Sequence, residues 1–225
     1  MNATIDIKGI FLRGLALYKE EFPLLINLGL IYALSVEAGY LIIRTFSPKF
    51  AGMVFLVNIL ISAVTSIALL KTGAVLHRGK TLSLQEAYAE VGRRYLSYVA
   101  VSMIFFVLVL SGVMMLVVPG IYFGTVFVFA DLVVVLEERE ILAAFQRSMD
   151  LVRGHFRKVF FFSLVTTCFL ALPSLVLGHL QVGGFQVGRV AQMCLVVFAV
   201  PYVNLVQVGL YNRLKEIYEQ GADTV

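Results

Sequence analysis

Six runs of apolar residues, each near the length that crosses a bilayer, constrain this chain more than any other feature. They cover Phe22 to Phe46, Ala51 to Leu76, Tyr95 to Val118, Ile121 to Leu136, Phe156 to Leu177 and Gly188 to Asn212. A hydrocarbon core about 30 Å thick takes roughly 20 residues of helix. The fourth run is the shortest, so Pro119-Gly120 and Glu137-Glu138 are expected near the two interfaces. Composition excludes a soluble globule: with 60% hydrophobic residues, 14% charged residues and a mean hydropathy of +0.92, the polar surface is too small to cover one. The expected fold is an all-α integral membrane protein with six transmembrane helices, residues 1–225 forming a single polytopic domain.

Basic residues set the orientation, because Lys and Arg are retained on the cytoplasmic side. Of the eighteen Lys and Arg, all but Arg44, Lys49 and Arg189 fall on one side of the six runs. Both termini are therefore expected in the cytoplasm. The outer connections are short, around Ser47-Pro48, at Pro119-Gly120 and from Gly178 to Val187. The opening M-N-A-T-I-D-I-K-G-I lacks the apolar core and small-residue cleavage site of a removable signal peptide.

Helical periodicity continues into the inner segments. Phe11, Leu15, Tyr18 and Phe22 recur at i, i+4, i+7 and i+11, as do Leu84, Tyr88, Val91 and Tyr95, and Phe145, Met149, Val152 and Phe156. Each set predicts one apolar stripe on an amphipathic helix at the cytoplasmic interface. Ser83 and Glu86 have the spacing of a capping box, and Gly154 follows the third helix where a left-handed residue is expected. The chain thus reads as three hairpins, each preceded by an interfacial helix, in repeat units of approximately 5–80, 81–139 and 140–219. Alignment of L-L-K-T-G-A, F-A-D-L-V-V and L-V-Q-V-G-L brings Lys71, Asp131 and Gln207 to matched depth.

Little else in the sequence points to chemistry. Cys168 and Cys194 lie in apolar runs and read as small hydrophobes, and His77, His155 and His179 lack metal-ligand spacing. No metal, no cofactor and no nucleic-acid partner is expected. Asp131 is the sharpest candidate, since a carboxylate inside a membrane helix costs about 3 kcal/mol unless it faces protein or water. Lys71 is its expected partner, with Gln207 beside it, either as a polar staple between helices or as part of an ion or proton path. Glu37 completes the intramembrane polar set; Arg44 is two turns away on the same face, too far for direct contact.

The stretch P-G-I-Y from Pro119 to Tyr122, V-V-L-E ending at Glu137, and A-F-Q-R-S-M-D-L-V-R-G-H-F from Ala144 to Phe156 resembles a known group. It is similar to the glycerophosphoryl diester phosphodiesterase membrane-domain superfamily, which includes bacterial inner-membrane proteins of the YciC type. The matching positions are Pro119, Gly120, Glu137, Ala144, Arg147, Ser148, Leu151 and Gly154. The resemblance covers about the central forty residues and implies a six-helix fold in a bacterial inner membrane. Relatives often carry Pro or a small residue near Asp131, so the acid is a departure. The His and Glu motifs of the associated soluble phosphodiesterase domain do not occur here.

Glu137 and Arg147 have complementary charge at the membrane exit and on the following surface helix, and are expected to pair. Arg147, Arg153, Arg157 and Lys158 are also candidates for anionic lipid head groups at the cytoplasmic face, where juxtamembrane cations gain about 1 kcal/mol each. The expected function is a non-catalytic membrane module, a scaffold or partner subunit in envelope lipid or polymer metabolism, contacting a protein through its interfacial helices. The competing reading is a transporter or channel for an ion, small molecule or lipid, using Asp131 and Lys71. An intramembrane lipid hydrolase or transferase ranks third, because no catalytic constellation is visible.

Overall fold

The structure is a computed structural model in which residues 5–45, 51–89, 91–178 and 187–222 are described. The expected outer connections around Ser47-Pro48 and between Gly178 and Val187, with Lys49 and His179, lie outside the described residues. The described elements are helices: α1 (Ile7–Glu20), α2 (Phe22–Thr45), α3 (Ala51–His77), α4 (Leu84–Ala89), α5 (Val91–Met115), α6 (Val117–Val126), α7 (Ala130–Leu136), α8 (Ile141–Val152), α9 (Phe156–Gly178) and α10 (Val187–Ala222). Six spans are long and apolar enough to cross a membrane: Phe22–Gly39, Val57–His77, Val91–Met115, Val117–Leu136, Phe156–Leu177 and Gly188–Gln220. They make this a multi-pass, all-helical membrane protein.

The long helix α10 organises the bundle, packing against α1, α2, α3, α8 and α9. Leu205, Val206, Val208, Leu210, Tyr211 and Leu214 are buried along it. Close approach is bought with small residues. Pro201 has no N–H to give to the Val197 carbonyl, and Gly29 of α2 lies against that carbonyl, where a side chain would collide. Gly14 of α1 meets α10 in the same way, a Cβ there coming within 2.8 Å of Val206.

The turn between the third and fourth spans falls at Leu116, earlier than the Pro119-Gly120 turn that the sequence led us to expect. Pro119 sits instead in the first turn of α6, where its missing N–H has no partner to lose. Gly112 and Gly120 let α5 and α6 touch through their backbones: a Cβ on Gly120 would come within 2.7 Å of the Val113 nitrogen. The fourth span is not one helix. It breaks between α6 and α7, at Phe127 to Phe129.

The short helices start and stop by local rules. Asp6 caps α1 by accepting the Gly9 N–H at 3.1 Å. Ser83 and Glu86 form the reciprocal capping box, Ser83 N–H donating to Glu86 at 2.8 Å and Glu86 N–H to the Ser83 hydroxyl at 3.3 Å. Gly154 follows α8 at φ +83°, the left-handed conformation a glycine adopts without strain. The buried faces coincide with the expected stripes in part, at Tyr18, Val91, Phe145 and Val152. On α8 they are Ala144, Phe145, Arg147, Ser148, Leu151 and Val152, while Met149 is 43% exposed; on α1 Gly14 and Tyr18 are buried and Leu15 is exposed, as is Phe22 at the start of α2; Leu84 of α4 is exposed and Ala87 buried.

Candidate functional site

The break in the fourth span leaves backbone donors and acceptors inside an apolar bundle, where unsatisfied groups are costly. Side chains from two other helices meet that demand. Ser148 of α8 donates its hydroxyl to the Val126 carbonyl at 2.8 Å and accepts the Phe129 N–H at 3.2 Å. Gln207 of α10 donates Nε2–H to the Val128 carbonyl at 3.2 Å. The carbonyls of Phe127 and Phe129 accept the Ala130 N–H at 3.1 Å and the Val133 N–H at 3.0 Å. Phe129 and Ser148 are fully buried.

At the end of α7, Glu137 forms the centre of a buried charge network. Its Oε1 accepts the Tyr211 hydroxyl at 2.7 Å and faces Lys215 Nζ at 3.2 Å; its Oε2 accepts Arg139 Nε at 2.9 Å and stands 3.3 Å from Arg147 Nε. The side chains of Glu137 and Arg147 are only 7% and 9% exposed. Arg147 also reaches Glu219 at 3.7 Å and lies 4.5 Å above the Tyr218 ring, a cation–π contact. Burial by itself would raise the Glu137 carboxyl, but the Tyr211 hydroxyl, Arg147 and Lys215 hold it below the usual carboxylate value. The next residue, Glu138, adopts φ +56°, and its carboxylate pairs with Arg94 of α5 at 2.9 Å. That pairing, helped by the more distant charges of Arg93 and Lys71, lowers the Glu138 pKa.

The motif residues therefore share one structural task. Pro119 and Gly120 set the α5–α6 contact, Ala144 and Leu151 are buried under α8, Ser148 closes the helix break, Arg147 joins Glu137, and Gly154 turns the chain into α9. The lipid head-group set divides: Arg147 is buried in the network, Lys158 is half-buried, and Arg153 and Arg157 are exposed.

Asp131 and Gln207 take different hydrogen-bond partners. Asp131 Oδ1 accepts the Leu132 N–H at 2.8 Å, and the carboxylate lies within electrostatic reach of the Tyr98 hydroxyl of α5. Gln207 bonds to the broken backbone, and the charge of half-buried Lys71 acts on Glu138. The break in the fourth span supplies the carbonyl to which Gln207 donates. Glu37 has a partner that sequence spacing did not give, Arg189 of α10 at 3.6 Å, both side chains being partly exposed. Complementary charge on two helices was the available signal.

Tyr211, Lys215 and Arg139 were also not anticipated. Tyr211 and Lys215 lie four residues apart on α10, one face of the helix, and that spacing beside an aromatic and basic helix end was the only trace of them. Among the described residues no group of His, Cys, Asp and Glu is arranged to hold a metal ion. No family model matches the chain, and no match is found among curated proteins or solved structures.

Proposed function

We propose that the chain is a non-catalytic module of a bacterial inner membrane, a scaffold or partner subunit in envelope lipid or polymer metabolism that works through contacts of α1, α4 and α8 at the cytoplasmic face. The observation that carries this reading is how the polar side chains of the motif are used. Ser148 and Gln207 complete a broken backbone, and Arg147, Lys215 and Tyr211 converge on Glu137. Groups so engaged hold α8 against the bundle rather than meet a substrate. Leu142 of α8, 76% exposed on the face away from the bundle, is an apolar contact for membrane or partner.

The three-hairpin repeat, the cytoplasmic termini and the membership of the glycerophosphoryl diester phosphodiesterase membrane-domain superfamily belong to the same proposal. The first is supported by the order of short and long helices, the second by the charge bias, and the third by the shared motif from Pro119 to Gly154. A broken membrane helix is also how transporters build ion sites, from freed carbonyls. Here the carbonyls of Val126, Phe127 and Val128 each accept a hydrogen bond from protein, which favours a structural joint over an ion path.

Cross-linking with mass spectrometry on native membranes, comparing wild type with Asp131→Asn, tests the reading. It predicts a reproducible protein partner bridged to α1, α4 or α8 and unchanged by the substitution. No partner, together with ion or lipid flux lost in the variant, would favour transport instead.

A further inference from the structure

Where α1, α3 and α10 meet at one end of the bundle, a pocket of about 420 Å³ opens among Asp6, Arg13, His77, Asn212, Arg213 and Glu216. The size is in the range of small-molecule sites. Its charges balance, two carboxylates against two guanidinium groups, and it shares no residue with the Glu137 network. His77 is the last residue of an apolar span, so the pocket lies where membrane helices emerge into the head-group zone.

The wall is held in place by its own contacts. Arg13 Nη2 donates to the His77 carbonyl at 3.3 Å, tying α1 to the end of α3, and Arg213 pairs with Glu216 at 2.9 Å. His77 Nδ1 lies 2.9 Å from the Gly73 carbonyl. A carbonyl only accepts, so Nδ1 carries the hydrogen, and in the neutral ring Nε2 presents a lone pair. Gly209 of α10 keeps the space beside that atom open, since a Cβ there would come within 2.8 Å of Nε2. The pocket thus offers acceptors on Asp6, Glu216 and His77 Nε2, and donors on Arg13, Arg213 and Asn212.

We propose that this pocket binds a phosphate ester bearing a primary amine, the ethanolamine phosphate head group of a phospholipid, with its phosphate against Arg13 and Arg213 and its ammonium against Asp6, Glu216 and His77. A choline head group has no N–H to donate to these acceptors. A head group without an ammonium would place its phosphate on the arginines but bring no cation to the two carboxylates. The same chemistry is carried by soluble O-phosphoethanolamine, which lacks the acyl chains. The inference stands independently of the scaffold reading.

The test is native mass spectrometry of the purified full-length chain released from nanodiscs of equal POPE, POPC and POPG. Wild type is expected to retain POPE about tenfold or more over the other two, the scale of one charge-assisted contact. Arg13→Gln with Arg213→Gln should lose that retention, while Lys8→Gln, an exposed cation of α1 outside the pocket, should keep it. Asp6→Asn with Glu216→Gln should turn the preference toward POPG, a change of selectivity that misfolding cannot produce, and this result decides the matter if the arginine variant fails to fold. Binding of O-phosphoethanolamine without retention of POPE would support the same recognition and assign it to the soluble ester. Equal retention of the three lipids by wild type with no binding of O-phosphoethanolamine, or unchanged selectivity in the Asp6 and Glu216 variant, would overturn the proposal.

Discussion

Arg147 Nε stands 3.3 Å from Glu137 Oε2, joining the middle of α8 to the end of the fourth span through two side chains that are almost wholly buried. Removing one member of a buried ion pair strands the other charge, which typically costs about 3–5 kcal/mol. Glu137→Gln is expected near the low end of that range, because buried Arg147 then keeps only the longer 3.7 Å approach to Glu219; Arg147→Gln should cost less, about 1–3 kcal/mol, since Arg139 and Lys215 still face the carboxylate. The double variant should fall short of the sum by about 1 kcal/mol or more, read from unfolding in mixed detergent. A simple charge swap is not an equivalent test. Arginine at position 137 would meet Arg139 and Lys215, so rescue by Arg147→Glu is not expected.

Acid should weaken the same joint. The Glu137 carboxyl titrates below its ordinary value of 4.5 in the folded chain, so its contribution is complete above that value and is lost as pH falls through the lower, folded pKa. Thermal unfolding of wild type is expected to be flat from pH 7 to about 5 with respect to this group and to fall below it. The Glu137→Gln variant should lack that component. Equal acid sensitivity of the two proteins would remove Glu137 from the account.

Ser148→Ala leaves the Val126 carbonyl and the Phe129 N–H without their partner. A loss of about 1–3 kcal/mol is expected, small enough for the chain to fold and large enough to measure. Asp131→Asn keeps an acceptor for the Leu132 N–H and should change stability by less than about 1 kcal/mol. The reverse order, with Asp131 dominant, would make the polar cluster the organising feature.

Gly120→Ala brings a methyl group against the backbone of α5 at Val113. Backbone cannot move aside as a flexible side chain can, so the hairpin must open, at about 1–3 kcal/mol. Engineered cysteines across α5 and α6 should then cross-link more slowly in the variant than in a Gly124→Ala control, where the nearest atom of α5 is an ordinary 3.9 Å away.

The six spans were legible in the sequence because burial in lipid demands long apolar runs, and the capping box at Ser83 and the turn at Gly154 were legible because both are local. The approach of Arg147 to Glu137 could be read from charge and chain order. The break could not: V-F-V-F-A-D contains no proline or glycine, and nothing local marks Phe127 to Phe129 as the end of a helix. Its cause is tertiary, since Ser148 and Gln207 supply the hydrogen bonds that make the break affordable from 19 to 79 residues away. The same distance hid Tyr211 from Glu137.

The central claim is that the interruption of the fourth span is a closed joint and not a gate. Amide hydrogen exchange of the full chain in nanodiscs, followed by mass spectrometry over residues 126–133, tests it most directly. The account predicts strong protection of the Phe129 amide in wild type and its selective loss in Ser148→Ala, with α5 unchanged. Rapid exchange across the break in wild type, indifferent to Ser148→Ala, would contradict it.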